Sequence, residues 1–238
     1  MAAGAMADRA EAGARAVDLR LYGLLDTGVC GGDGEALGRL GAEAAAGGCT
    51  LLQYREKDIA DARATLERLR AIGAALGGRV PLLVNDRVDL ALAAGADGVH
   101  LGQSDMHPAD ARRLLGPGAI IGLTVKSAAQ ADELYRLPID YACIGGVFAT
   151  TSKDNPDPPV GLDGLSRILF RARLARGPGL PVGAIAGIGL DNAGEVIAAG
   201  ADGVAVISAL FGAEPVRERA RALRARIDAA LAQRGAGR

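Results

Sequence analysis

The sequence of 238 residues has few aromatic residues, which make up 3% of the chain, and it has no tryptophan. A platform that stacks the bases of single-stranded nucleic acid needs aromatic side chains, so that function is not expected. The formal net charge is -1, from 27 basic and 28 acidic residues, which gives no overall field to attract nucleic acid or an anionic membrane. No apolar run approaches the roughly 20 residues needed to cross a bilayer. We therefore expect neither a nucleic-acid nor a membrane partner.

Cysteine is also scarce. Cys30, Cys49 and Cys143 lie far apart without a C-x-x-C pair, and their odd number cannot form a closed disulfide framework. This pattern favours a reducing, cytoplasmic location. The first 17 residues lack the basic start and apolar run of a signal peptide, so we expect a flexible tail before one domain over 18–234.

Hydrophobic residues are abundant, at 50% of the chain, and mostly aliphatic. Short aliphatic runs alternate with segments of helical periodicity through the whole sequence. The runs expected to be strands are "LRLYGLL", "CTLLQYR", "VPLLVN", "GVHLG", "AIIGLTV", "YACIGG", "VGAIAG" and "GVAVIS". Eight strands, each followed by a helix-sized segment, predict an α/β fold with a single-domain (β/α)8 TIM barrel.

One segment is repeated: "AAGADGV" occurs at 93–99 and at 198–204. Each copy is typical of a helix end, a glycine able to adopt a left-handed conformation, a tight turn and a strand start. Asp97 and Asp202 could be read as a catalytic pair. Both precede their strands, however, which is the stability face of a barrel, so we favour a structural role.

Polar residues follow the predicted strands, and in a barrel the loops after the strands meet at one rim. Arg55, Lys57, Lys126 and Lys153 would place four cations there, which favours a polyanionic ligand. The alternative is an ordinary surface set in which Arg55 or Lys57 pairs with a neighbouring carboxylate, Glu56 or Asp58. The other rim candidates are Gln53, Asn85, Asp86, His100, Gln103, Asp105, Thr124, Thr150, Ser152, Gly187 and Ser208.

Asp86 and Asp105 add carboxylates beside these cations. Mg²⁺ is typically held by one or two carboxylates together with substrate phosphates, so the pair indicates a Mg²⁺-diphosphate site. Asp86 could instead be the N-cap of a helix over "RVDLALAAG", and the two roles compete. His100, between apolar neighbours, is expected to be a hydrogen-bonded residue rather than a metal ligand.

Glycines and a long loop mark the later strands. "AIAGIG" at 184–189 and "VISAL" at 206–210 lie where barrels bind phosphate through backbone N–H groups, although tight turns are an equal explanation. The polar, proline-containing stretch at 148–164 is too long for a simple connection. Such loops are often functional, and this one could act as a lid.

In their order along the chain, "QYREKD", "VNDRVDLALAAGADGVHLGQSD", "FATTSKDNPDPPVGL" and "AGADGVAVISAL" resemble the thiamine-phosphate synthase family. The resemblance covers nearly the whole predicted domain. It implies a (β/α)8 enzyme that joins 4-amino-2-methyl-5-pyrimidinylmethyl diphosphate to a thiazole phosphate and releases diphosphate. It also implies Mg²⁺ as cofactor and a homodimer.

The same resemblance implies roles for individual residues. Arg55, Lys57, Thr124 and Lys153 would be the catalytic set. Asp86 and Asp105 would hold Mg²⁺. The substrate contacts would be Gln53, Arg55, Lys57 and Asn85 to the pyrimidine diphosphate, Thr124 and Lys153 to the diphosphate or pyrimidine, Thr150 and Ser152 to the thiazole, and Gly187, Ile207 and Ser208 to the thiazole phosphate.

This chain departs from the family pattern at three places. Thr124 and Lys126 stand where Ser and His are common, Ser152 stands where Thr is common, and Ala186-Gly187 stands where two glycines are common. Two rival functions are a thiazole tautomerase-like barrel and a non-catalytic protein that binds thiamine precursors. The first is expected to use a histidine where Lys126 occurs, and the second would be separated from an enzyme by a turnover assay.

Overall fold

The fold is a closed barrel of eight parallel strands in the order β1 to β8, as predicted. It is known from a computed structural model that describes residues 17–150 and 157–236. The strands are β1 (Leu21–Asp26), β2 (Leu51–Arg55), β3 (Leu82–Asn85), β4 (Gly98–Leu101), β5 (Ile120–Val125), β6 (Tyr141–Ile144), β7 (Val182–Ile185) and β8 (Gly203–Val206). The predicted tail, apart from Val17, lies outside the described residues.

Helices connect the strands and surround the barrel. They are α1 (Thr27–Cys30), α2 (Gly34–Ala46), α3 (Ala62–Leu76), α4 (Val88–Ala94), α5 (Pro108–Leu115), α6 (Ala128–Asp132) with a 3-10 turn (Glu133–Arg136), α7 (Gly161–Arg176), α8 (Ala193–Ala198), α9 (Ser208–Phe211) and α10 (Val216–Ala236). In the described ranges, no helix combines the length and apolar character needed to span a membrane.

Alternation along each strand divides the apolar residues into two cores. One set packs between the strands and the helices, and it includes Leu21, Leu25 and Leu52. The other fills the barrel interior and includes Tyr22 and Tyr141, whose ring centroids are 5.9 Å apart in an edge-to-face arrangement.

The two tyrosine rings fit inside the barrel because the strands facing them carry small residues. Gly122 on β5 is the register partner of Tyr141 on β6, and a Cβ atom at Gly122 would overlap the Tyr141 ring. The tyrosines therefore form the floor of any cavity that opens at the carboxyl ends of the strands.

At the amino ends of the strands, one hydrogen-bonding arrangement occurs four times. The residue before each even-numbered strand donates its backbone N–H to a backbone carbonyl of the preceding odd-numbered strand. Its side chain in turn accepts a hydrogen bond from the backbone N–H of the residue that carries this carbonyl. We call these the four clamps; they are Thr50 to Leu21, Asp97 to Leu82, Asp140 to Ile121 and Asp202 to Val182, with all eight distances between 2.7 and 3.1 Å.

The clamps explain the repeated segment and confirm the structural role predicted for Asp97 and Asp202. Each carboxylate accepts a backbone N–H at 2.9 Å on the face opposite the rim. Gly95 has a left-handed φ of 69°, and Gly200 also has a positive φ, of 115°. In each copy the helix end, turn and clamp thus form one unit that leads into an even-numbered strand.

Candidate active site

A cavity of about 500 Å³ opens at the carboxyl ends of the strands. We call it the charged cavity. Its lining includes the predicted site residues Gln53, Arg55, Lys57, Asn85, Asp86, His100, Gln103, Asp105, Thr124 and Lys126. The structure therefore brings together residues from β2, β3, β4 and β5 that are up to 73 positions apart in the sequence.

The floor of the charged cavity is a chain of hydrogen-bonded side chains. The Gln53 amide donates to the Tyr22 hydroxyl, which lies 3.0 Å from the Tyr141 hydroxyl. His100 continues the chain, with Nδ1 2.8 Å from Tyr141 Oη and Nε2 2.8 Å from Thr124 Oγ1. These contacts confirm that His100 is a hydrogen-bonded residue.

The carbonyl oxygen of Gln53 is the exception in this chain. Gln53 is 1% exposed, and its Oε1 atom makes no hydrogen bond although it is buried. Since an unsatisfied buried acceptor costs about 1–3 kcal/mol, it marks a position where a ligand donor would be stabilised.

Arg55 forms its ion pair with Asp26. The two residues are register partners at the ends of neighbouring strands, and the Asp26 side chain is only 6% exposed. For Arg55, the predicted alternative of a pair with Glu56 or Asp58 is wrong, because its carboxylate partner is Asp26 and Glu56 pairs with Arg68 instead. Asp26 Oδ1 accepts the N–H of Gly28, which orients the carboxylate so that Oδ2 accepts a hydrogen bond from Arg55 Nη1 at the rim.

Glu56 points away from the cavity into the layer between β2 and α3. Its carboxylate accepts hydrogen bonds from Tyr54 Oη at 2.7 Å, Thr65 Oγ1 at 2.6 Å and Arg68 Nη2 at 2.6 Å. Burial raises the pKa of Glu56, but these hydrogen bonds and the Arg68 charge outweigh it, so the pKa is lowered from its ordinary value. Glu56 is therefore a structural anion beneath the "QYREKD" motif.

Asp86 occupies the centre of a tight γ-turn. Its φ is 61°, and the N–H of Arg87 donates to the carbonyl of Asn85 at 2.7 Å. The N–H of Asp86 donates to the His100 carbonyl at 2.9 Å, which ties the turn to β4. The alternative that Asp86 caps α4 is wrong: the N-cap position belongs to Arg87, and no side chain caps the helix.

The turn directs the Asp86 carboxylate toward Asp105. Burial, then a hydrogen bond with Asp105 and repulsion from its charge, raise the pKa of Asp86 to about 6, although Lys57 and Arg55 act in the opposite direction. Asp105 is fixed in turn by the N–H of Gly102, 2.6 Å from its Oδ2. Two carboxylates held this close, with a strained backbone at one of them, are suited to a shared cation.

Lys126 joins the far side of the cavity to the loop after β6. Its Nζ lies 2.8 Å from Asp157 Oδ2, and its backbone N–H donates to Gln130 Oε1 at 2.7 Å. Three cations, Arg55, Lys57 and Lys126, and three carboxylates, Asp86, Asp105 and Asp157, thus line the cavity. The described lining is close to neutral, so a diphosphate would need further positive charge.

A second cavity, of about 590 Å³, opens beside the first between β7 and β8. We call it the glycine-rich cavity, and Ile185 lines both. Thr150, Gly187, Ile207 and Ser208 lie here, as the predicted grouping of thiazole residues requires. Gly187 has a φ of 64° and a Cβ atom there would overlap the Ala149 carbonyl, so glycine is needed at this turn.

Two predicted contacts, Ser152 and Lys153, lie outside the described residues. The residues of the described site that were missed from the sequence include Asp26, Tyr22, Tyr141, Asp157 and Arg219. Asp26 ends an aliphatic strand, as Arg55 does, and that position could have identified it. Arg219 lies on the C-terminal helix α10, and nothing in the sequence around it indicates that it reaches a cavity.

Comparison with known proteins gives consistent matches. The family model described as thiamine monophosphate synthase matches residues 21–210. A thiamine-phosphate synthase of Agrobacterium fabrum is 54% identical over 220 residues, which cover 92% of this chain and 98% of that protein. One from Chloroflexus aurantiacus is 43% identical and covers 89% of this chain and 94% of that protein.

A solved structure agrees with the sequence relatives. A thiamine phosphate pyrophosphorylase from Pyrococcus furiosus superposes with a TM-score of 0.77 at 36% identity. The alignment covers 90% of this chain and 98% of that one. The similarity therefore extends over almost the whole barrel.

Proposed function

Because this chain belongs to the thiamine monophosphate synthase family, we propose that its two cavities are the two substrate sites of the synthase reaction. The chain is a transferase of thiamine biosynthesis. The charged cavity would bind the pyrimidinylmethyl diphosphate, and the glycine-rich cavity would bind the thiazole phosphate. One observation carries this assignment. The cavity lined by Arg55, Lys57, Asp86 and Asp105 adjoins the glycine-rich cavity, and Ile185 lines both.

The aminopyrimidine would lie on the floor of the charged cavity. Its exocyclic amino group can donate to Gln53 Oε1, the buried acceptor without a partner. Thr124 Oγ1 is held in place by His100 at 2.8 Å and faces the same space. Binding would satisfy an acceptor that is otherwise buried without a bond, which favours this orientation of the ring.

The diphosphate would lie at the rim, against Arg55, Lys57 and Asn85. Asp86 and Asp105 fit a Mg²⁺ ion, because their oxygens are hard ligands and their mutual repulsion would be relieved by a cation. Bound there with substrate phosphates, Mg²⁺ would neutralise charge on the diphosphate. It would also supply the positive charge that the nearly neutral lining lacks.

The chemistry we propose is dissociative. The carbon–oxygen bond to the diphosphate breaks, the electron pair stays on the diphosphate, and the thiazole nitrogen then donates its lone pair to the pyrimidinylmethyl cation. Arg55, held by Asp26, and Lys57 stabilise the charge that grows on the leaving group. No proton has to leave the reacting atoms, which agrees with a His100 whose two ring nitrogens are both engaged in the floor.

The decisive experiment is a turnover assay with both substrates, in Mg²⁺ and in excess chelator. Mg²⁺-dependent formation of thiamine phosphate is expected. An equal yield of product in chelator would show that the reaction does not need Mg²⁺, while the synthase activity would still be established. Absence of product in both conditions, with folding and binding demonstrated, would favour a protein that binds thiamine precursors without catalysis.

A further inference from the structure

We propose that Arg219 binds the phosphate of the thiazole substrate and thereby sets the preference for a phosphorylated thiazole. The inference rests on the proposed function of the glycine-rich cavity. Arg219 lies on α10, beyond residues 21–210 that match the family model, so the family match assigns it no role.

Arg219 is the only ionisable side chain in the described lining of the glycine-rich cavity. The rest of that lining consists of small or aliphatic residues, backbone, and the hydroxyls of Thr150 and Ser208. Arg219 is half-buried at the edge of this cavity, so its positive charge acts at short range on a bound group. The cavity is thus suited to an anion.

The contacts of Arg219 hold its guanidinium in place without neutralising it. Nε donates to the Ala209 carbonyl at 3.0 Å, and Nη2 donates to the same oxygen at 2.8 Å and to the Ser208 carbonyl at 3.3 Å. Carbonyl oxygens leave the positive charge in place. Among the described residues, Arg219 has no carboxylate within ion-pair distance, and Nη1 donates no hydrogen bond.

Other arginines of α10 differ from Arg219 in this respect. Arg217 forms two 2.9 Å hydrogen bonds with Glu43, Arg224 pairs with Asp228 at 2.8 Å, and Arg234 lies 3.2 Å from Asp202. These three join the helix to itself or to the barrel. The arginine that faces the glycine-rich cavity is one whose charge is uncompensated.

A phosphate monoester matches this arrangement. Its oxygens can accept hydrogen bonds from backbone N–H groups near Gly187 and Ser208, and from a planar guanidinium fork. Charge-assisted hydrogen bonds of this kind contribute more than neutral ones. A thiazole alcohol without the phosphate would fill the cavity but would leave the Arg219 charge without a partner.

The test compares Arg219→Gln with the wild-type protein on two thiazoles, one phosphorylated and one not. We expect the KM for the thiazole phosphate to rise about 10- to 100-fold, with the KM for the pyrimidine diphosphate unchanged. We expect kcat/KM for the unphosphorylated thiazole to stay within about twofold. Arg219→Lys should recover most of the affinity, and Arg221→Gln, an exposed arginine of the same helix, is the matched control.

Two results would overturn the inference: an unchanged KM for the thiazole phosphate, or an equal loss on both thiazoles. The second would show that Arg219 acts only by holding α9. Titration of the thiazole phosphate into the wild-type and Arg219→Gln proteins by calorimetry provides a readout that needs no turnover. If the wild type binds this ligand but makes no product, the synthase assignment fails while the role of Arg219 is still tested.

Discussion

The carboxyl groups of Asp86 and Asp105 line the same side of the charged cavity, close enough that Asp105 contributes to raising the pKa of Asp86. The γ-turn at Asp86 and the N–H of Gly102 on Asp105 hold the two groups in this arrangement. An arrangement that is unfavourable in isolation points to a ligand that compensates it.

We predict that Asp86→Asn and Asp105→Asn each lower the apparent affinity for Mg²⁺ at least about tenfold and reduce turnover about 100-fold. Asparagine tolerates the positive φ at residue 86, so the turn is retained. The measurement is product formation across a Mg²⁺ titration. Asp58 is an exposed carboxylate in the same loop as Lys57, so Asp58→Asn should behave like the wild type. If Asp86→Asn or Asp105→Asn also behaved like the wild type, that residue would not be a ligand of the metal.

The Asp26–Arg55 pair predicts a positioning role for Asp26. Asp26→Asn should raise the KM for the pyrimidine diphosphate, because Arg55 loses the partner that fixes its side chain, and should lower the free energy of unfolding by about 3 kcal/mol. Steady-state kinetics and urea unfolding measure the two effects.

Two controls define that result. Glu214 pairs with Arg39 on the surface, where the side chains are 58% and 63% exposed, so Glu214→Gln should cost less than about 1 kcal/mol. The double variant Asp26→Asn with Arg55→Gln should lose less stability than the two single losses together. Strict additivity would mean that the two side chains do not act as a pair.

Glu56 predicts a pH dependence of stability. Because its pKa is lower in the folded protein than in the unfolded chain, its contribution is present above the unfolded pKa, about 4.3, and is lost as the pH falls through the folded pKa. Glu56→Gln should therefore be less stable than the wild type at pH 7, by about 1–2 kcal/mol, and the difference should shrink below about pH 4. Urea unfolding at both pH values measures it, with Asp110→Asn, from the exposed Asp110–Arg113 pair, as the control. A stability difference between Glu56→Gln and the wild type that did not change with pH would contradict the structural role of the Glu56 carboxylate.

Ala186 predicts a stabilising substitution. Its φ of 93° is unfavourable for a residue with a Cβ atom, so Ala186→Gly should raise the free energy of unfolding by about 1 kcal/mol. Ala184, two residues earlier on β7, is fully buried, and Ala184→Gly should instead lower it by about 1 kcal/mol. Opposite signs in urea unfolding are the expected result, and a loss of stability at both positions would show that Ala186 is not strained.

Much of the fold follows from local features of the sequence. Each strand is a short aliphatic run between turn residues, and the carboxyl ends of eight such strands must share one rim. That rule is enough to bring Arg55, Asn85 and Thr124 into one cavity from separate parts of the chain. The same rule placed Asp97 and Asp202 on the opposite face.

The excluded alternatives, and the contact that the sequence did not reveal, depend on register, backbone angles and packing between elements. Arg55 pairs with Asp26, 29 residues away, because β1 and β2 align these two positions; nothing within "QYREKD" specifies that register. The left-handed φ of Asp86 excludes the helix cap that its position in the sequence favours. Arg219 reaches the glycine-rich cavity only because α10 packs back against α9, a contact between elements that the local pattern does not fix.

The four clamps divide the base of the barrel into four strand pairs, each made of an odd strand and the even strand that follows it. Such a base is modular. A circular permutant with new chain ends between an even strand and the next odd strand would keep both members of every pair on one continuous segment. New ends within a pair would place the two members of one clamp at opposite ends of the chain, so that this clamp could form only after the whole barrel has closed.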